Sequence, residues 1–299
     1  MNIVIYGAGA IGSFFGGLLS KNNNVVLIGR KKHVEAINKY GLKIEGETNL
    51  NIKISADDDI EKISFTPDLV VLTTKSYDTE KAINVIKKNI NERAFVLSLQ
   101  NGLNNLDVIK KNIDNNRIMA GITTHGCLFL KPGSIKHTGF GKTIIGKLEK
   151  NNSKVDEIAK IFNKSEIQTE ISDNIARDIW IKGIVNSSIN PVSAFFECKN
   201  GYLLKNPILE NMIEKICYES AKVANAIELN LKTDEMLQTT KNVINDTSEN
   251  YSSMLQSIKH SKMSEIDSIN GEIVKKGKKE KIEVSLNELL VYLVKSKSS

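Results

Sequence analysis

The chain has 299 residues, a formal net charge of +6, 40% apolar and 25% charged residues. These values describe a globular chain long enough for about two domains, and they exclude fibrous and disordered classes. Cys127, Cys198 and Cys217 are odd in number and lack CxxC spacing, which argues against a disulfide framework and against a zinc site.

The opening "MNIVIYGAGAIGSFFGGLLSK" has no charge before Lys21 and has the length of an export signal or a membrane span. A signal peptide needs a basic start and a continuous apolar run. Here Asn2 is neutral, and Gly7, Gly9, Gly12, Gly16 and Gly17 break the run. The stretch divides instead into a β-branched strand, "NIVIY", and the pattern "GAGAIG" opening a helix. That context is the one in which GxGxxG binds a dinucleotide. Gly7 permits the tight turn, Gly9 lets backbone approach a pyrophosphate, and Gly12 allows close helix–strand packing. With Ala8, Ala10 and Ile11 they form the expected cofactor turn, and the helix N-terminus favours the phosphate charge.

The second strand, "NVVLIGRKKH", ends where NAD sites usually carry an Asp or Glu for the ribose hydroxyls. Gly29 stands there, followed by Arg30, Lys31 and Lys32. A missing carboxylate and an added guanidinium favour a 2′-phosphate, so NADPH is expected, with Arg30 as its main contact. "DLVVLTTK" and "AFVLSLQNG" read as further strands, and segments such as "SYDTEKAINVIKKNI" read as helices, which implies parallel pairing. Lys75 and Asn101 with Gly102 end these strands, where ligands of open α/β sheets bind. "GSIKHTGFGKTIIG" reads as a small antiparallel extension.

After "SEIQTEIS" the pattern becomes mostly helical. The expected division is residues 1–172 for the dinucleotide-binding domain and 173–299 for a helical substrate domain. In "DIWIKGIVNSSINPVSAFF", Lys182, Asn186 and Asn190 are spaced four apart and form one ridge of a helix. A cation and two amides flanked by Trp180, Ile181, Ile184, Val185 and Ile189 need partners that a polar substrate would supply. Pro191 should bend or end this helix. The run "KKGKKEK" (275–281) reads as a solvated helix end or loop. Basic residues interleaved with aromatics are absent, so a nucleic-acid partner is not expected. Neither is a membrane partner, and the expected location is the cytoplasm.

The blocks "GAGAIG", "TTKSYDT", "QNG", "TTHG", "PGSIKHTGFGKTIIG", "WIKGIVNSSINPVSA", "SSMLQSI" and "SEIDSINGEIV" together resemble the ketopantoate reductase (2-dehydropantoate 2-reductase) family. The resemblance implies an N-terminal Rossmann-type domain joined to an all-α domain similar to that of 6-phosphogluconate dehydrogenase. It implies NADPH-dependent reduction of 2-dehydropantoate to pantoate in pantothenate biosynthesis, with Lys182 as general acid and Glu265 of "SEID" as its acidic partner. Asn101, Asn186, Asn190 and Ser253 resemble the substrate contacts, with the adjacent Ser252 as the alternative serine. Lys75 and Asn101 resemble residues at the cofactor. Ser257, Ser264 and Ser285 depart from the family's usual Asp, Thr and Pro, which leaves open a relative acting on another branched 2-oxo acid. A non-catalytic NADPH-binding protein is the rival of another class, and assembly as a homodimer is left open. His33, His125, His137 and His260 are not needed for this chemistry and read as structural or solvated.

Overall fold

A computed structural model of the chain describes residues 1–148 and 154–297. They form two compact units, Met1–Gln100 with Asn105–Ala176, and Asn101–Asn104 with the chain from Arg177 onward. The division falls at Ala176, four residues past the Ser172 read from the pattern. Ile175 packs on Gly146, where an added Cβ would come within 2.6 Å of the isoleucine Cβ, so the start of the long helix stays with the first unit.

The first unit holds β1 (Asn2–Tyr6), α1 (Ala10–Leu19), β2 (Asn24–Ile28), α2 (Lys31–Tyr40), β3 (Leu42–Gly46), β4 (Leu50–Ile52), β5 (Ser55–Asp57) and β6 (Leu69–Leu72). It continues through α3 (Thr79–Asn89), β7 (Phe95–Ser98), α4 (Asn105–Lys110), β8 (Ile118–Thr123), β9 (Gly126–Lys131), β10 (Ser134–Gly139), β11 (Thr143–Lys147), α5 (Lys154–Lys164) and β12 (Thr169–Ile171). An eight-stranded sheet runs in the order β12-β11-β8-β7-β6-β1-β2-β5. Its pairs are parallel except β8 with β11.

The β-branched runs are buried on both faces, as parallel strands require. Ile3, Ile5, Leu69 and Val71 enter one core with Phe14, Phe15 and Leu18 of α1 and Phe162 of α5. Their alternates Val4, Val70 and Leu72 enter a second core with Ile83 and Ile86 of α3 and Ile109 of α4. Helices therefore cover both faces of a doubly wound, Rossmann-type sheet.

The segment read as one antiparallel extension is split between two sheets. β10 joins a four-stranded sheet, β4-β3-β10-β9, pairing parallel with β3 and antiparallel with β9. β11 returns to the main sheet, antiparallel to β8. Gly141 makes the crossing possible, because a Cβ there would collide with the Thr124 carbonyl carbon. Three histidines are buried near this junction. The Gly133 amide donates to His33 Nδ1 at 2.9 Å, so the ring proton lies on Nε2, 3.0 Å from Ser13 Oγ. Burial, then the nearby Arg30, push the His33 pKa down to about 4. Burial and His137 do the same to His125.

The second unit is helical: α6 (Ile175–Phe195, entering from the first unit), α7 (Tyr202–Lys205), α8 (Pro207–Ala226), α9 (Thr233–Asp246), α10 (Ser253–Lys259), α11 (Asn270–Lys279) and α12 (Ser285–Lys297). From Gly183 to Ala194 every residue of α6 except Asn186 is buried, which marks a core helix. Trp180 and Ile184 pack with Cys217 and Ala221 of α8 and Ile273 of α11. Val185, Ile189 and Val192 pack with Ile213 and Ile216 of α8, Ile244 of α9 and Leu290 of α12. Pro191 neither ends α6 nor stops it near Asn190, and the helix runs on to Phe195. Proline removes the N–H that would bond the Ser187 carbonyl. The Asn270 side chain replaces it, donating from Nδ2 to Ser187 O at 3.0 Å. Gly183 leaves room on α6 for Leu103, whose Cδ2 would lie 2.5 Å from an added Cβ. The Leu103 amide also donates to Ser268 O at 2.8 Å, so residues 101–104 are fastened to this unit twice. No helix among the described residues is long and apolar enough to cross a membrane.

Two outcomes follow from this packing. The unfolded chain protonates His33 and His125 below about 6.5, and the folded chain resists protonation down to about 4. Stability should therefore fall as pH drops through that window, with His33→Gln falling less steeply, as read by urea unfolding at pH values across it. Gly183→Ala gains helix propensity but overpacks Leu103, so a net loss of about 1–2 kcal/mol is expected. In a Leu103→Ala background the loss should vanish or reverse, measured by thermal unfolding of the four variants.

Candidate active site

In the first unit the glycine turn joins β1 to α1. The amides of Gly7 and Ala8 both donate to Ile28 O, at 3.0 and 2.8 Å, and pin the turn to β2. Gly7 has φ 111°, and a Cβ there would lie 2.6 Å from the Thr74 amide nitrogen. A Cβ at Gly12 would collide with the Gly7 carbonyl oxygen. Both glycines are thus demanded by the protein itself. Gly9 differs. The nearest atom to a Cβ there is Gly7 O at 3.9 Å, so no packing explains the missing side chain. A pyrophosphate drawn up to the backbone would explain it, and the residues fit that group. Gly9 also caps α1 without a side-chain hydrogen bond. The first-turn amides of Ala10, Ile11 and Gly12, which a helix cannot satisfy internally, are then suited to an anion.

At the end of β2, a Cβ on Gly29 would lie 2.8 Å from Ala8 Cβ. The glycine turn therefore leaves no space there for an Asp or Glu side chain. Arg30 follows, exposed, at the N-terminus of α2 with Lys31 and Lys32.

Lys75 lies three residues beyond the end of β6 and is half-buried. The loop carrying it is held by a buried network that sequence reading passed over. Gln100 Nε2 donates to Thr74 O and Thr74 Oγ1, both at 3.1 Å, and to Thr79 Oγ1 at 2.8 Å. Ser98 Oγ donates to Gln100 Oε1 at 3.1 Å, and Thr79 Oγ1 stands 2.8 Å from Asn105 Oδ1. The "QNG" signal drew attention to Asn101, yet Gln100 is the residue that ties the two loops. Only its burial among hydroxyls identifies it.

In the second unit Lys182 Nζ donates to Asn101 Oδ1 at 2.8 Å. Burial pushes the Lys182 pKa down to about 8, against the Glu265 carboxylate, which pulls it up. A lysine so placed can hold a proton near neutral pH and still release it. Glu265 is 7% exposed, in the turn before α11, where Ser268 N and Ile269 N both donate to its carbonyl at 3.1 Å. Asn186 is half-buried and Asn190 is 7% exposed. Neither carboxamide is hydrogen-bonded to another described side chain or backbone group. Buried polar groups usually have hydrogen-bond partners, so the Asn190 carboxamide in particular is a candidate for a ligand contact.

The two serines separate clearly. Ser252 is buried and caps α10, accepting from Leu255 N at 3.2 Å and from Ser193 Oγ at 2.7 Å. Ser253 is exposed at the first position of α10. Lys182, Asn101, Glu265, Asn186 and Asn190 thus belong to one unit, although Asn101 follows β7 in the chain. Leu103 and Gly183, which seat the Asn101 segment, were not legible as site residues. The glycine in a helical pattern was the available signal.

The chain matches two family models, "Ketopantoate reductase PanE/ApbA" over residues 3–150 and "Ketopantoate reductase PanE/ApbA C terminal" over residues 174–298. It is 44% identical to the 2-dehydropantoate 2-reductase of Pyrococcus horikoshii over 303 residues, covering 100% of this chain and 98% of that relative. The enzyme of that name from Archaeoglobus fulgidus is 32% identical over 299 residues, covering 99% of this chain and 98% of the relative. Among solved structures, D-mandelate dehydrogenase with NADH and anilino(oxo)acetate is similar at TM-score 0.95 and 30% identity, covering 100% of this chain and 98% of that one. A PanE/ApbA family ketopantoate reductase from Ralstonia eutropha gives TM-score 0.92 at 31% identity, with the same coverage of each. With both halves matched and full-length relatives at this identity, the chain belongs to the ketopantoate reductase family of oxidoreductases.

Proposed function

We propose that this protein reduces 2-dehydropantoate to pantoate with NADPH. The observation that carries the reading is the Lys182 amine, 2.8 Å from Asn101 Oδ1 and lowered to about 8, on one ridge with two unpartnered carboxamides. Family membership supplies the substrate. A bound reduced nicotinamide dinucleotide supplies the hydride.

Lys182 in its ammonium form hydrogen-bonds the 2-oxo oxygen, stabilises the negative charge that develops there and delivers the proton that completes the alcohol. Glu265 favours the charged amine and Asn101 aims it. Asn186, Asn190 and Ser253 orient the substrate's carboxylate and hydroxyl, and being neutral they add no charge to the Lys182–Glu265 pair. Lys75 is assigned to the cofactor, as the family resemblance implies. Gly7, Ala8, Gly9, Ala10, Ile11 and Gly12 would hold the pyrophosphate, and Arg30 would grip the 2′-phosphate. Ala8 bars an acidic side chain from position 29, which supports NADPH over NADH. The reading goes with a small-molecule partner and a cytoplasmic setting, and it leaves a homodimer to be tested by sedimentation.

A second reading is a reductase of another 2-oxo acid. It is favoured by the similarity, at TM-score 0.95, to a D-mandelate dehydrogenase. The two readings call for the same hydride transfer to a 2-oxo carbon and differ in the side group the substrate carries. Turnover of ketopantoate against a panel of aryl and branched 2-oxo acids separates the two readings.

Lys182→Ala should lower kcat about 10²–10⁴-fold with NADPH affinity retained, in steady-state kinetics paired with fluorescence titration. In the wild type, kcat/KM for reduction should fall as pH rises through about 8, because the lysine loses the proton it must give. Glu265→Gln should move that fall to lower pH, since the carboxylate raises the lysine pKa. A pH profile unchanged in this variant removes Glu265 from the mechanism. Arg30→Ala should weaken NADPH binding about ten-fold or more and leave NADH binding nearly unchanged.

A further inference from the structure

α6 carries Lys182, Asn186 and Asn190 on one ridge, and Pro191 interrupts its hydrogen bonding immediately after them. The Ser187 carbonyl, left without an in-helix donor, sits between Asn186 and Asn190 in the chain. The break therefore falls on the stretch of helix that carries the two carboxamides. Asn270 serves the orphaned carbonyl. It is fully buried, and its Nδ2 donates to Ser187 O at 3.0 Å and to Asn287 Oδ1 at 2.9 Å.

The orientation of this amide is over-determined. Asn287 Nδ2 donates to Glu219 Oε1 at 2.7 Å and to Ser220 Oγ at 3.1 Å, so Asn287 can present only its oxygen to Asn270. Flipping Asn270 would set its own oxygen against two acceptors. Glu219 is fixed in turn, accepting from the Leu286 and Asn287 amides at 3.0 and 2.8 Å. Asn270 Oδ1 is buried without a partner among the described residues. A group tolerated with an unsatisfied oxygen is held for its two donors.

Asn270 is also the first residue of α11, directly after the turn that begins at Glu265. One side chain thus joins the interrupted segment of the ridge helix to the segment bearing the carboxylate. We propose that Asn270 is a positioning residue, a two-donor clip that replaces the amide missing at Pro191 and holds Asn190 and Glu265 in register with Lys182. The proposal rests on the roles given above to Lys182, Asn190 and Glu265.

The test uses the full-length enzyme with NADPH and ketopantoate, comparing Asn270→Ala, Asn270→Ser, Pro191→Ala and the Asn270→Ala/Pro191→Ala double variant. Asn270→Ala should raise the ketopantoate KM about ten-fold and shift the alkaline fall of kcat/KM to lower pH, with the NADPH dissociation constant unchanged. Pro191→Ala restores an amide to Ser187 O, so adding Asn270→Ala to it should raise KM by a smaller factor than in the wild type. Asn270→Ser keeps one donor and should fall between, which also serves if the alanine variant does not fold. A folded Asn270→Ala or Asn270→Ser with only a lower melting temperature, and with KM and pH profile unmoved, overturns the clip. So does an equal KM defect in both backgrounds. If Lys182→Ala is inactive while Asn270→Ala is kinetically silent, the clip fails and the site reading stands. If Lys182→Ala keeps full turnover, the site reading itself fails, whatever Asn270 does.

Discussion

The second unit depends on a conflict between burial and charge at Lys182. An apolar core helix surrounds the amine with groups that disfavour its charge, and burial lowers its pKa to about 8. The carboxylate at Glu265 opposes that tendency without cancelling it, and the Asn101 amide oxygen accepts a hydrogen bond from the amine at 2.8 Å. The balance leaves an amine that is mostly protonated at neutral pH and near enough to its pKa to give the proton up. A fully solvated lysine would hold its proton too firmly, and an unopposed buried one would have lost it. On the proposed reading, the packing around α6 serves the chemistry as well as the stability.

The rest of the unit can be understood as support for that balance. Asn101 reaches the amine because Leu103 fits where Gly183 has no side chain and because its amide bonds Ser268 O in the turn that starts at Glu265. The ridge of carboxamides is carried through a proline break that would otherwise leave a buried carbonyl unpaired. Ser252 gives its hydroxyl to the α10 cap, which leaves Ser253 exposed for other use. Each arrangement places a polar group in an apolar setting with a defined partner, or leaves it for a ligand to complete.

In the first unit the proposed constraint is different, a backbone turn open to a phosphate. Gly7 and Gly12 are required by contacts within the protein, whereas Gly9 is required by nothing in it. That asymmetry separates architecture from ligand more sharply than the GxGxxG pattern, which treats the three glycines alike. Ala8 crowds position 29, where many NAD sites carry an acidic residue. The loop bearing Lys75 is steadied by Gln100, Thr79 and Ser98, a network of uncharged groups with no motif of its own.

Much of this was determined by local sequence. β-branched runs between amphipathic segments dictate a parallel sheet covered on both faces, glycine spacing dictates the turn, and four-residue spacing puts Lys182, Asn186 and Asn190 on one ridge. These are properties of periods and of single residues, and they survive without knowledge of what packs against them. Tertiary structure decided what depends on contacts far apart in the chain. It split the "GSIKHTGFGKTIIG" segment between two sheets, because Gly141 allows a crossing that strand patterning cannot register. It carried α6 through Pro191, because the replacement donor comes from Asn270, 83 residues from Ser187. It assigned Asn101 to the helical unit, since the pairing of Leu103 with Gly183 joins positions 80 apart that carry no mutual signal in sequence. Hydrogen-bond partners and steric fit are settled only when distant segments meet, and here those meetings determine which polar groups keep no partner among the described residues.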